Sequence, residues 1–156
     1  MKILILGISG RTGRLAAEEA IKRGHTVVGI ARDPTKVTIR DAEIVSGTPY
    51  DFETIRKAII DCDSVIGTLS LLSQSQGIFG KIKTPLDLLS VSMKNTVKAM
   101  EENGIKRIVL MTALGVGDSA KELPGIARML INLTNIKYSY ADRQGKATNP
   151  RLACSP

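Results

Sequence analysis

The sequence predicts an α/β fold: a Rossmann-like, doubly wound parallel sheet of about five strands, ordered 3-2-1-4-5, with helices on both faces. Three observations predict it. Apolar runs alternate with amphipathic stretches, as in "KILILG", then "RTGRLAAEEAIKRG", then "TVVGIA". The runs are apolar throughout, which suits strands covered on both faces, and those belong to parallel sheets. Glycines at Gly7, Gly10 and Gly13 join the first run to the first amphipathic stretch. Right-handed crossovers then leave few topologies.

Each element has its own signal. "KILILG" is a short Ile- and Leu-rich run closed by Gly, hence a buried strand. "RTGRLAAEEAIKRG" is helical and stops at Gly24. "TVVGIA" is the second strand and "EIVSG" a weaker third. "DFETIRKAIIDC" is helical, with Asp51 as its N-cap and Ile55 and Ile59 on one face. "SVIGTLS" is the fourth strand. "TPLDLLSVSMKNTVKAMEENG" is the clearest helix: Thr84 caps it, Pro85 takes the first position and Gly104 ends it. Leu86, Leu89, Met93, Val97 and Met100 recur every three or four residues, a stripe that reads as core. "RIVLMT" is the fifth strand, and "SAKELPGIARMLINLTN" is a helix interrupted at Pro124 and Gly125.

The glycine triplet carries the chemistry. A tight turn out of a strand wants Gly7, and a backbone that touches a pyrophosphate leaves no room for a side chain at Gly10. Close packing of helix on sheet wants Gly13. The free N–H groups and partial positive charge of the following helix start then face the diphosphate. Ser9, Arg11 and Thr12 lie between these glycines and belong to the same candidate phosphate loop. A bare triplet is weak, whereas one between a strand and a helix is much stronger.

The end of the second strand bears on which dinucleotide is held. An acidic residue there suits the ribose hydroxyls of NAD. This chain has Arg32, whose planar fork suits the extra 2′-phosphate of NADP, with Arg11 in reach of the same group. NADP(H) is therefore favoured, while the neighbouring Asp33 keeps NAD(H) open.

The bulk properties narrow the partners. At 156 residues the length suits one domain. The net charge is +7, but the basic residues are scattered among acids, and aromatic residues make up only 3%, which argues against nucleic acid. Cys62 and Cys154 have no metal spacing, no metal site is expected, and Cys62 reads as a buried thiol in a cytoplasmic protein. No stretch approaches the length of a membrane span, so no membrane partner is expected.

The segments "GISGRTG", "IARDPTK", "VSGTPYD", "SVIGTLS", "NTVKAMEENGIKRIVLMTALGVGDS" and "YSYAD" resemble the atypical short-chain dehydrogenases/reductases. The nearest groups are the NmrA-like NAD(P)-binding proteins and the biliverdin reductase B / flavin reductase type. The resemblance runs from Met1 to about Asp142, giving a dinucleotide-binding domain at 1–142 and an irregular tail at 143–156. It implies a cofactor path along the carboxyl ends of the strands. Thr48 would lie beside adenine, where the family has an Asp; Asp51 follows three residues on. Thr68, Leu69 and Ser70 would line the passage to the nicotinamide ribose, and Thr112 and Ala113 would approach the nicotinamide.

Two departures matter. A Ser or Thr pair is frequent at the end of the family's fifth strand; here Ala113 stands second, so Thr112 alone is the catalytic candidate. The Tyr-x-x-x-Lys pair of the full dehydrogenase triad is missing: Tyr138 precedes Asp142 and Tyr140 precedes Gln144. That argues against alcohol dehydrogenase chemistry, not against hydride transfer by positioned rings. The resemblance thus implies an NADPH-dependent oxidoreductase acting on a flavin, a quinone or a similar conjugated acceptor. The alternative is a non-catalytic NADP-binding redox sensor. Relatives continue with a helix and a sixth strand, where this chain has "RQGKATNPRLACSP"; the expectation is a truncated or frameshifted product, with strand five left as an edge.

Overall fold

The computed structural model describes residues 1–70, 85 and 87–111. Five strands form one sheet: β1 (Lys2–Leu6), β2 (Thr26–Ala31), β3 (Ala42–Ser46), β4 (Ser64–Gly67) and β5 (Ile108–Leu110). Their order is β3-β2-β1-β4-β5, and every pairing is parallel. Three helices accompany them: α1 (Arg11–Lys22), α2 (Phe52–Ala58) and α3 (Leu88–Glu102). The expected order of strands is the observed one.

Both faces of the sheet are covered, and the residues alternate accordingly. Leu4, Leu6, Val28, Ile30 and Val65 face one side with Ile55 and Ala58 of α2, Ile59 just past its end, and Ala99 and Met100 of α3. Ile3, Ile5 and Val27 face the other with Ala17 and Ala20 of α1. Leu4, Ile5 and Leu6 are fully buried, and each such side chain contributes about 1.5–3 kcal/mol by leaving water. Continuous apolar strands are the direct consequence of this two-sided covering.

The helix boundaries differ from expectation in small ways. Helix α1 ends at Lys22, and Gly24 takes a left-handed φ of +78° to turn the chain into β2. Helix α2 closes at Ala58, shorter than the apolar pattern suggested, with Asp51 capping it as expected. Helix α3 begins at Leu88, three residues after Pro85, and Gly104 (φ +68°) follows its end. Leu89, Met93 and Met100 of the expected stripe are buried. Thr84, Leu86, the helix around Pro124 and the tail at 143–156 lie outside the described residues.

Contacts gather the chain into two units, Met1–Leu69 with Ser92–Met111, and Ser70–Val91 with Thr112–Pro156. The first holds the whole sheet. The second is described only at Ser70, Pro85 and 87–91, where Ser90 Oγ donates to the Asp87 carbonyl at 3.1 Å. Among the described strands β5 is terminal, and Val109 and Leu110 are exposed.

Candidate functional site

The parallel register brings the carboxyl ends of four strands to one edge of the sheet. Leu6 pairs with Ile30 and Gly67, and Ala31 pairs with Ser46. The segments that follow these strands therefore start side by side: the glycine loop at 7–13, Arg32, Thr48 and Thr68. This edge is where an open α/β sheet holds its ligand.

The glycine loop is closely built. Gly7 has φ +87°, which side chains resist, and its carbonyl accepts from the Gly10 N–H at 2.9 Å. A Cβ at Gly13 would lie 2.1 Å from the Gly7 carbonyl oxygen, so only glycine allows α1 to start this close to the loop. A Cβ at Gly10 would meet the same oxygen at 3.2 Å. Gly10 is the N-cap of α1 and contributes no side-chain bond. The N–H groups of Arg11, Thr12 and Gly13 thus lack partners from the helix itself. The first turn carries no acid, and Arg11 and Arg14 stand there instead. Arg14 pairs with Glu18 at 3.8 Å, whereas Arg11 has no anion among the described residues, and a cation so placed at the positive end of a helix dipole is unfavourable unless an anion joins it. Ser9, Gly10, Arg11 and Thr12 are all exposed. The charge and donor supply of this cradle suit a diphosphate.

Thr68 is bound into the loop rather than pointing free. Its N–H and its hydroxyl both donate to the Leu6 carbonyl at 2.9 Å. The hydroxyl also lies 3.5 Å from the Gly7 carbonyl oxygen. A Cβ at Gly7 would come within 3.0 Å of that hydroxyl. Thr68 therefore holds the base of the glycine loop to β4. Leu69 is half-buried against the core on the α2–α3 side, and Ser70 is exposed.

Beyond β2, the two charged residues differ. Arg32 is exposed and makes no ion pair or side-chain hydrogen bond among the described residues, and neither does Arg11. Asp33 is engaged on both oxygens. Its Oδ1 accepts from the Thr35 hydroxyl at 2.6 Å and the Thr35 N–H at 3.2 Å. Its Oδ2 pairs with Lys36 Nζ at 3.1 Å. These bonds cap a short 3₁₀ turn at Pro34–Lys36 and hold the carboxyl below the usual range, the Thr35 side-chain bond foremost.

Past β3, the Thr48 hydroxyl accepts from the Tyr50 N–H at 3.3 Å, and its carbonyl accepts from the Asp51 N–H at 3.0 Å. Asp51 Oδ2 accepts from the Thr54 hydroxyl (2.7 Å) and N–H (3.0 Å), so its carboxylate serves α2. Asn95 of α3 ties this loop down, its amide donating to the Tyr50 carbonyl at 2.8 Å. Thr112 and Ala113 lie outside the described residues. Among the described residues no three His, Cys, Asp or Glu side chains gather as a metal site. Among them, too, no helix is long and apolar enough to cross a membrane.

The comparisons with known proteins agree with this geometry. A family model described as NAD(P)H-binding matches residues 7–149. The chain belongs to this NAD(P)H-binding family. Photosystem II assembly factor Ycf39 of Synechocystis sp. is 27% identical over 93% of this chain and 45% of its own. The NADPH-dependent pterin aldehyde reductase of Arabidopsis thaliana is 48% identical over 31% of this chain and 20% of its own. Among solved structures, ChuY from Escherichia coli O157:H7, described as an anaerobilin reductase, superposes with a TM-score of 0.69 at 20% identity. That match covers 92% of this chain and 64% of ChuY, and it is a likeness of fold. The chain spans about half the length of the curated relatives that it matches over most of its own length.

Sequence reasoning missed three features of the site's support. It did not see that the Thr68 hydroxyl ties β4 to the loop, that Asn95 holds the Tyr50 carbonyl, or that Ile8 is wholly buried beneath the glycine loop. The first two are single long-range bonds with no periodic signature. The third had a signal: an isoleucine inside an otherwise small and polar turn.

Proposed function

We propose that this chain binds NADPH in preference to NADH and serves as a reductase for a flat conjugated acceptor such as a flavin or quinone. One observation carries the cofactor choice. The cation after β2, Arg32, stands without an anionic partner, while the carboxylate beside it, Asp33, is occupied by Thr35 and Lys36. A free guanidinium at that position suits a 2′-phosphate, and an occupied carboxylate is poorly placed to accept ribose hydroxyls. The relative named as an NADPH-dependent reductase supports the same choice.

In this reading the N–H groups of Arg11, Thr12 and Gly13 bind the diphosphate, and Gly7 and Gly10 keep the backbone close to it. Arg32 holds the 2′-phosphate with Arg11 in reach of it, and Thr48 borders adenine. Thr68 keeps the phosphate loop in place, and Leu69 borders the passage to the nicotinamide ribose. A bound nicotinamide would supply the hydride for the acceptor. The non-catalytic sensor is the second reading. It draws on the relative whose printed role is assembly factor rather than reductase.

Titration with NADPH and NADH tests the site. Arg32→Glu is expected to weaken NADPH by roughly 10–100-fold, the size of a lost charge-assisted pair, and to leave NADH little changed. Gly10→Val is expected to weaken both. Unchanged affinity in both variants would remove the site. NADPH oxidation in the presence of FMN or a soluble quinone separates the readings: turnover supports the reductase, and tight binding without turnover supports the sensor.

A further inference from the structure

Gly29 lies in the middle of β2, opposite Ile5 of β1 and Ile44 of β3. Glycine is a poor residue for the interior of a central strand, and it often marks a close approach of another part of the chain. Here the approaching part is Ile8. A Cβ at Gly29 would lie 2.5 Å from Ile8 Cδ1, 2.6 Å from Cγ2 and 2.9 Å from Cβ. Those are the branched base of the side chain as well as its tip, so no simple rotation clears them.

Ile8 belongs to the glycine loop. From Gly7 to Thr12 it is the one buried residue, fully so; Ser9, Gly10, Arg11 and Thr12 face solvent. The loop is therefore anchored inward through this one side chain. Retreat towards the helix is closed as well, because the Ile8 Cα lies 2.9 Å from where a Gly13 Cβ would stand. Ile8 is held between β2 below and the start of α1 beside it.

We infer that Gly29 is a positioning residue of the dinucleotide site: its missing side chain seats Ile8, and Ile8 sets where the phosphate-binding backbone lies. A methyl added at Gly29 displaces Ile8, and the loop N–H groups move with it. Hydrogen bonds to a diphosphate weaken steeply with misplacement and misalignment. The inference rests on the glycine loop holding the dinucleotide, as proposed above.

Three variants and one control test it by NADPH fluorescence titration alongside thermal unfolding. Gly29→Ala is expected to weaken NADPH at least tenfold. Ile8→Ala, which loosens the anchor without crowding it, is expected to weaken NADPH several-fold. In Gly29→Ala/Ile8→Ala the contacts with Ile8 Cγ2 and Cδ1 are gone and only the 2.9 Å approach of Cβ remains, so the loss added by Gly29→Ala is expected to be clearly smaller than in the wild-type background. Val28→Ala sits next to Gly29 on the opposite face of the sheet and is expected to lower Tm while leaving affinity unchanged. Wild-type affinity in folded Gly29→Ala or in Ile8→Ala overturns the inference, as does an equal loss in Val28→Ala. A Gly29→Ala loss that persists undiminished in the Ile8→Ala background also overturns it. Failure of the wild-type chain to bind NADPH at all would instead overturn the reading of the loop.

Discussion

Arg32 and Asp33 are adjacent in sequence and opposite in situation: the guanidinium has no partner among the described residues, and the carboxylate is bonded on both oxygens. The neighbours of Asp33 should therefore influence cofactor choice. Thr35→Val removes the hydroxyl bonded to Oδ1 and leaves that oxygen only the longer bond from the backbone N–H of position 35. We expect the preference for NADPH over NADH to fall a few-fold, as befits one exposed charge-assisted bond; Thr35→Ser should restore it. Parallel titrations of both cofactors read this out. Cys62 shows a different residue-scale effect. Its thiol is buried, donates weakly to the Ala58 carbonyl at 3.5 Å, and is pushed up to about 11, burial being the main cause. The unfolded chain ionises near 9.0 and the folded chain near 11, so stability is lost as pH rises between them. Urea unfolding from pH 8 to 11 should show that decline, and Cys62→Ala should flatten it.

At the scale of elements, α2 illustrates local chemistry deciding a helix start. Asp51 caps the Thr54 N–H and hydroxyl, and Glu53 adds acid to the first turn. The Thr54 side-chain bond, foremost, holds the Asp51 carboxyl below its ordinary value of 3.8. A depressed carboxylate stabilises above the unfolded value and loses that contribution as pH falls through the lower, folded one. Asp51→Ala should lower Tm by roughly 2–4 °C at neutral pH, with the difference shrinking below pH ~4. Differential scanning calorimetry at both pH values checks this. Asp51 was legible as a cap because an acid directly precedes an apolar helical pattern. The early close of α2 at Ala58 was not, because Ile59 and Ile60 continue the apolar spelling while the chain has already turned. Likewise Pro85 suited a helix start by composition, yet α3 begins at Leu88.

At the scale of the molecule, two cores on either side of one sheet place the candidate site at the carboxyl edge, where loops from β1, β2, β3 and β4 converge. A ligand that binds there only in the folded state stabilises the whole fold. Saturation at about 100 times Kd should add about 2.7 kcal/mol and raise Tm by several degrees. NADPH should show this shift in a melting series, and Arg32→Glu should shrink it. The fold itself was legible because its evidence is repetitive: β1, β2 and β4 are largely apolar and buried, and amphipathic stretches alternate with them. The glycine cradle was legible because steric need at Gly7 and Gly13 admits one residue type.

The sequence by itself determined the strand order, the alternation of layers, the glycine loop between β1 and α1 and the exposed cation at the end of β2. These follow from periodicity and from local backbone requirements that neighbouring residues reveal. Only the tertiary structure decided that Thr68 serves the loop from β4 and that Ile8 rests on Gly29. The physical reason is distance along the chain. Thr68 reaches Leu6 across 62 residues, and Gly29 meets Ile8 only because parallel pairing sets β2 beside β1. Such contacts have no local pattern, and the packing that creates them exists only once the sheet has formed.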